Sequence, residues 1–209
     1  MKERSDLMKK MSYLLVAVLS VFVLCACGNG VESKELELDF SKYFGMTMDE
    51  YLEATNTSKN AVKEDFSSDG LWEFKEKTIY KETEFVKFLE VDLTENIIIG
   101  GRYIAAIENP DESTFELVNA IMKDIVEKYG EPTTYAEPED RLSNMKNFAD
   151  IAANTGVEET WTIVRAKPIT IPEYEDTKLT EQVELLISCL DGKATIEIRH
   201  KLYVDLNAK

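Results

Sequence analysis

Residues 180–204 read TEQVELLISCLDGKATIEIRHKLYV. Asp191-Gly192 in the middle is a strong signal for a two-residue hairpin turn, because both turn positions need a positive φ that Asp and Gly tolerate. Placing Leu190 opposite Lys193 pairs Cys189 with Ala194, Ile187 with Ile196, Leu185 with Ile198 and Val183 with His200. Residues directly opposite one another share a face, so these pairs build one apolar face. The other face sets Glu184 against Arg199, opposite charges across the ladder. Turn, register and polarity agree, and that agreement makes antiparallel sheet the frame for the rest of the chain.

Working upstream, ETWTIVRA (159–166) has strand character, whereas KPITIPEYED (167–176) carries Pro168 and Pro172 and belongs to an edge or a loop. Residues 114–129 give the strongest helix signal, with Phe115, Val118, Met122, Ile125 and Tyr129 at spacings of three and four. Ser113 and Glu116 have capping-box spacing at its start; Gly130 and Pro132 stop it. A further helix is expected over 139–153, with Leu142, Met145, Ala149 and Ala152 inward. Three strand-like runs precede these helices, at 71–80, 84–93 and 96–108. The Gly100-Gly101 pair in the third marks a bulge or a close backbone approach. Before them, Thr47 and Glu50 form a capping box for a short helix over 48–56.

Helix, strands, helices, strands predict an α+β fold, with helices packed on one face of antiparallel sheet. Each half opens its strands near a tryptophan, Trp72 and Trp161, which suggests two related helix-plus-sheet units at 36–109 and 110–209. GMTMDE (45–50) and YGEP (129–132) carry a family likeness. They resemble the Gly-Met-Thr helix start and Gly-x-Pro close of small envelope-assembly lipoproteins and tandem-repeat beta-lactamase-inhibitor proteins. The chain departs from that pattern in having Asn56 where the first closing glycine would fall, and no Gly-Met-Thr in the second half. The resemblance implies a binding or assembly role and carries over no functional residue.

The beginning of the chain reads as an address. Lys2, Arg4, Lys9 and Lys10 precede an uncharged run from Met11 to Ala26, the pattern of a secretory signal. Leu24-Cys25-Ala26-Cys27 resembles a bacterial lipobox, which implies that residues 1–26 are removed and that Cys27 carries the lipid. Residues 27–35 then form the lipidated cysteine and a polar tether. The expected location is the extracytoplasmic face of the cell membrane, with the membrane itself the first partner.

Composition narrows the function. The formal net charge of the whole chain is −16; residues 1–26 hold four basic and two acidic groups, so the remainder carries −18. Such a surface is a poor match for nucleic acid, whose phosphates call for Lys and Arg. Beyond Cys27 only Cys189 remains, so no internal disulfide is expected, and Cys189 in its apolar phase reads as a buried, inert thiol. His200 is the only histidine and falls on the apolar face, packed or half-exposed. One histidine supports no Ser-His-Asp set, and no usual metal site or cofactor is expected. Asp65 to Gly70 lacks the spacing of a calcium loop and reads as a turn.

Trp72, Trp161 and Tyr103 are the candidate binding surface, set against their reading as core anchors. The function expected is a lipid-anchored binding or assembly module without catalysis, recognising an envelope protein or an extracellular ligand. The alternative is a wall-directed hydrolase using paired carboxylates.

Overall fold

The computed structural model describes residues 35–63, 70–133, 136–154, 156–166, 169–175 and 177–205. The signal segment, the Cys27 lipobox and most of the tether and of the 65–70 turn lie outside the described residues. Among those described, no helix is long and apolar enough to cross a membrane.

The fold is α+β, built on one antiparallel sheet of six strands: β1 (Leu71–Tyr80), β2 (Thr83–Asp92), β3 (Ile97–Glu108), β4 (Val157–Ile163), β5 (Lys178–Leu190) and β6 (Lys193–Asp205). Their order across the sheet is β1-β2-β3-β6-β5-β4. Each half of the chain therefore supplies three consecutive strands, and the halves join where β3 pairs antiparallel with β6, from Gly100 opposite Lys201 to Glu108 opposite Lys193. Among the described residues, three α-helices accompany the sheet: α1 (Met48–Ala54), α2 (Glu112–Tyr129) and α3 (Phe148–Ala152).

The β5–β6 hairpin has the register its sequence dictates, with Leu190 opposite Lys193, Val183 opposite His200 and Glu184 opposite Arg199. Asp191 and Gly192 take φ values of 51° and 74°, the left-handed conformation the tight turn demands. Burial alternates along β5: Glu181, Val183, Leu185 and Ile187 are buried, whereas Gln182, Glu184 and Leu186 are half-buried. Val183, Leu185 and Ile187 form one continuous core with Met48, Tyr51 and Leu52 of α1, Leu117, Val118, Ile121 and Ile125 of α2, and Ile151 of α3.

Two bulges reset the phase of the first half. In β1 the register shifts between Glu73 and Lys77, which leaves Lys75, Glu76 and Lys77 exposed and returns Tyr80 to the core. Between β2 and β3 the shift falls where Glu90 meets Gly100 and Val91 meets Ile98. Leu93, expected in phase with Phe85, Leu89 and Val91, stands past the end of β2 and is 62 % exposed.

Three expectations change at the helices. The cap of α2 is Asp111, reciprocated by Thr114, rather than Ser113 with Glu116. Asp111 is the residue with the extended backbone a cap requires, so the helix starts two residues early. The core stripe of α2 correspondingly includes Leu117 and Ile121, while Phe115, Met122 and Tyr129 are only partly buried. The helix expected over 139–153 is broken into 3-10 turns at 138–140 and 142–144 and the short α3. Polar side chains take over its backbone: the Glu159 carboxylate accepts from the Ser143 amide, and Asp150 accepts from the Lys146 amide. Leu142 and Ile151 are buried there, and Ala149 and Ala152 are exposed.

Candidate functional site

His200 stands in β6 opposite Gly101 of β3 and Val183 of β5, and is 1 % exposed. Because Gly101 has no side chain, the chain ahead of α1 can come close to the sheet at that point. The Phe40 ring fills the place, so close that a Cβ on Gly101 would lie 2.2–2.4 Å from its carbons. Phe40 also brings its backbone amide to the imidazole, donating to Nδ1 at 2.9 Å. The rings of Phe40, Phe44 and Tyr129 meet the imidazole edge-on.

The other ring nitrogen, Nε2, lies 2.7 Å from Oε1 of Glu181, two residues before Val183 on the buried face of β5. Arg165, just beyond β4, closes on the same carboxylate, with Nε donating to Oε2 and an Nη2 donating to Oε1, both at 2.6 Å. That Nη2 also donates to Ser41 Oγ at 2.9 Å, and the Ser41 amide donates to Asp39 Oδ1 at 3.0 Å. Burial opposes the Glu181 charge, but the hydrogen bonds from His200 and Arg165 outweigh it and hold its carboxyl below the ordinary 4.5. For Asp39, burial is likewise outweighed by the Ser41 hydroxyl and amide, and its pKa falls below 3.8.

A second polar cluster lies beside it. Lys87 of β2 extends its ammonium among the rings of Phe40, Tyr43, Tyr51 and Phe74, 5.1–5.8 Å from their centroids. Glu37 pairs with it at 2.8 Å. Burial opposes the Lys87 charge, but the Tyr103 and Tyr51 hydroxyls and Glu37 outweigh it and raise its pKa. Both clusters thus hold one stretch, residues 37–41, against β2, β3 and β6.

Donor atoms of Asp39, Glu181 and His200 lie within 4.8 Å of one another, which is metal-like geometry. The donors are already committed. A transition metal needs about 2.0–2.2 Å to each ligand, and the direct 2.7 Å contact between Nε2 and Oε1 leaves it no room. Nδ1 has its lone pair on the Phe40 amide, and Arg165 supplies the positive charge. The geometry also falls short of a nucleophilic triad. Glu181 orients His200 as a triad acid would, but a backbone amide stands where the nucleophile's hydroxyl belongs. Glu37, Asp39 and Glu181 all have depressed pKa values, the opposite of what a carboxylic general acid needs.

The candidate surface aromatics lie on one side of the sheet, and it is the side that carries the core. Trp161 stands opposite Val183 and Tyr103 opposite Ile198. They are 1 % and 3 % exposed, so neither offers a face to an outside ligand. Trp161 Nε1 is satisfied by the Gly130 carbonyl at 3.0 Å. Trp72, opposite Leu89, is partly buried against the same core. Cys189 is half-buried, and burial pushes its thiol pKa up.

On the other side of the sheet, where sequence reasoning assigned only the Glu184–Arg199 pair, further charged side chains gather. Glu90 is buried between Arg102 and Lys201, the latter at 2.7 Å. Arg102 reaches Glu197 at 2.8 Å, and Arg199 donates to both Glu197 oxygens at 2.7 and 2.9 Å. Tyr203 donates to Glu184, which stands opposite Arg199. Fixed charges thereby run across β2, β3, β6 and β5. Half-buried Phe88, Ile104 and Leu186 lie among them, Ile104 and Leu186 flanking Glu197 in one cross-strand row. The signal was present in the alternation of β5 and β6, whose even and odd positions give both faces once the turn is fixed. Comparison with protein-family models, with curated proteins and with solved structures finds no match to this chain.

Proposed function

We propose that the chain is a lipid-anchored, extracytoplasmic binding or assembly module that presents one face of its sheet to a protein partner. In this reading the helices cover the core face and leave the charged face open. Cys27 carries the lipid, and two acyl chains give stable anchoring where one does not. The observation that carries the reading is the set of half-buried Phe88, Ile104 and Leu186 among ion pairs that hold one another in place. Such a surface meets a partner without paying much ordering entropy, which is what preorganisation contributes to affinity. The recurrence of a helix followed by three consecutive strands in both halves supports the resemblance to tandem-repeat envelope and inhibitor proteins.

The test is a pull-down from solubilised membranes with the full lipidated chain as bait, beside an Ile104→Glu, Leu186→Glu variant checked for native melting. A specific partner lost in the variant is the expected result; a partner retained at full yield rejects the sheet face. Cys27→Ala is expected to move the protein from the membrane fraction to the soluble one, and continued membrane retention rejects the anchor.

A further inference from the structure

We infer that residues 37–41 are a strap clipped to the sheet by the His200 imidazole, and that a proton on Nδ1 opens the clip. Nδ1 accepts the Phe40 amide, so the ring's one proton resides on Nε2, where Glu181 receives it. A second proton must go to Nδ1 and would set N–H against N–H. The carboxylate able to receive it is Asp39, whose Oδ1 is 3.9 Å from Nδ1. Asp39 reaches hydrogen-bond distance only by moving the Asp39–Ser41 turn, which is the strap itself.

The charged and titratable groups around the ring come from every side. Asp39 comes from the strap, Glu181 from β5, Arg165 from beyond β4 and Tyr129 from α2. β3 places Gly101 opposite His200, so no side chain at that position holds the ring when Phe40 leaves. The remaining fastenings are Tyr129 to the Leu38 carbonyl and Lys87 to Glu37 on the N-terminal side of Phe40, and Arg165 to the Ser41 hydroxyl on its C-terminal side.

Release changes reach. At about 3.5 Å per residue, the chain from Cys27 to Glu37 spans at most about 35 Å, and the chain from Cys27 to Lys42, the first residue past the strap, about 53 Å. This consequence rests on the lipid-anchor reading; the clip does not.

The chain has one histidine, so its imidazole nitrogen resonances belong to His200. The experiment follows them in the full lipidated chain in nanodiscs, together with amide exchange in 37–41 and in β5 and β6, as pH is lowered. At neutral pH, Nδ1 is expected to be unprotonated. The imidazolium and the loss of strap protection should then share one midpoint, with protection falling about tenfold per pH unit as that midpoint is approached from higher pH while β5 and β6 stay protected. An imidazolium under a still-protected strap, or strap and strands exposing together, overturns the proposal. His200→Asn, which offers the Phe40 amide an acceptor that does not titrate, is expected to abolish the pH dependence; an unchanged midpoint overturns it. If Cys27→Ala left the protein on the membrane, the anchor reading would fall while these readouts kept their meaning.

Discussion

A methyl group at position 101 would meet three ring carbons of Phe40 at 2.2–2.4 Å, whereas one at position 100 would meet Lys201 carbons at 3.3 Å. Overpacking of a buried site costs roughly 1–3 kcal/mol. Gly101→Ala is therefore expected to lower stability by about 2 kcal/mol or to lift Phe40 from its seat, and Gly100→Ala to cost clearly less. Urea denaturation of the two variants checks the order, and equal losses would contradict it. The sequence announces a close approach at this glycine pair but not what approaches, because Phe40 lies 61 residues before Gly101 with no local period linking the two. His200 is similar. Its face follows from the Asp191-Gly192 turn, while Asp39 and Arg165 reach it through tertiary folding alone. Glu181 did leave a trace: it is an acid in the inward phase of Val183, Leu185 and Ile187, and an inward acid requires a partner.

At the scale of elements, the hairpin was legible because turn chemistry and side-chain alternation constrain the same register. Asp191→Pro should show how much depends on that turn, since proline fixes φ near −65° and Asp191 needs 51°. A loss of about 3 kcal/mol or a failure to fold is expected, and native stability would contradict the turn. The cap of α2 was misread because Asp111 and Ser113 both suit an N-terminus by composition, and only the backbone distinguishes them. Asp111→Ala is expected to cost about 1 kcal/mol and Glu116→Ala next to nothing; thermal melts of the pair decide between the two caps. The stretch 139–153 looked helical through its apolar spacing. Its Asn147 and Asp150, which favour caps over helix interiors, break it into pieces.

Across the whole molecule, stability should depend on acid. Glu37, Asp39 and Glu181 have folded pKa values below their ordinary 4.5, 3.8 and 4.5. Their contribution is complete above those ordinary values and is lost as pH falls through the lower folded ones. Urea midpoints should therefore be flat with respect to these three groups above about pH 5 and drop below about pH 4. Midpoints unchanged into that acid range would mean the carboxylates are not held as described. The sheet order itself was not legible. Sequence reading divided the chain into two units, and nothing local in β3 or β6 declares that they pair.

That seam has a consequence for how the chain comes to be made. Gly100 waits for Lys201, and Phe40 waits for His200. Contacts so distant along the chain slow folding, because a long loop must close before they repay its entropy. A chain emerging in order from its N-terminus exposes β3 as a bare strand edge for the entire synthesis of the second half, the condition under which strands join the wrong neighbour. Truncation anywhere before β6 should consequently yield aggregates rather than a smaller folded protein, and the last strand to appear is the one that makes the first half safe.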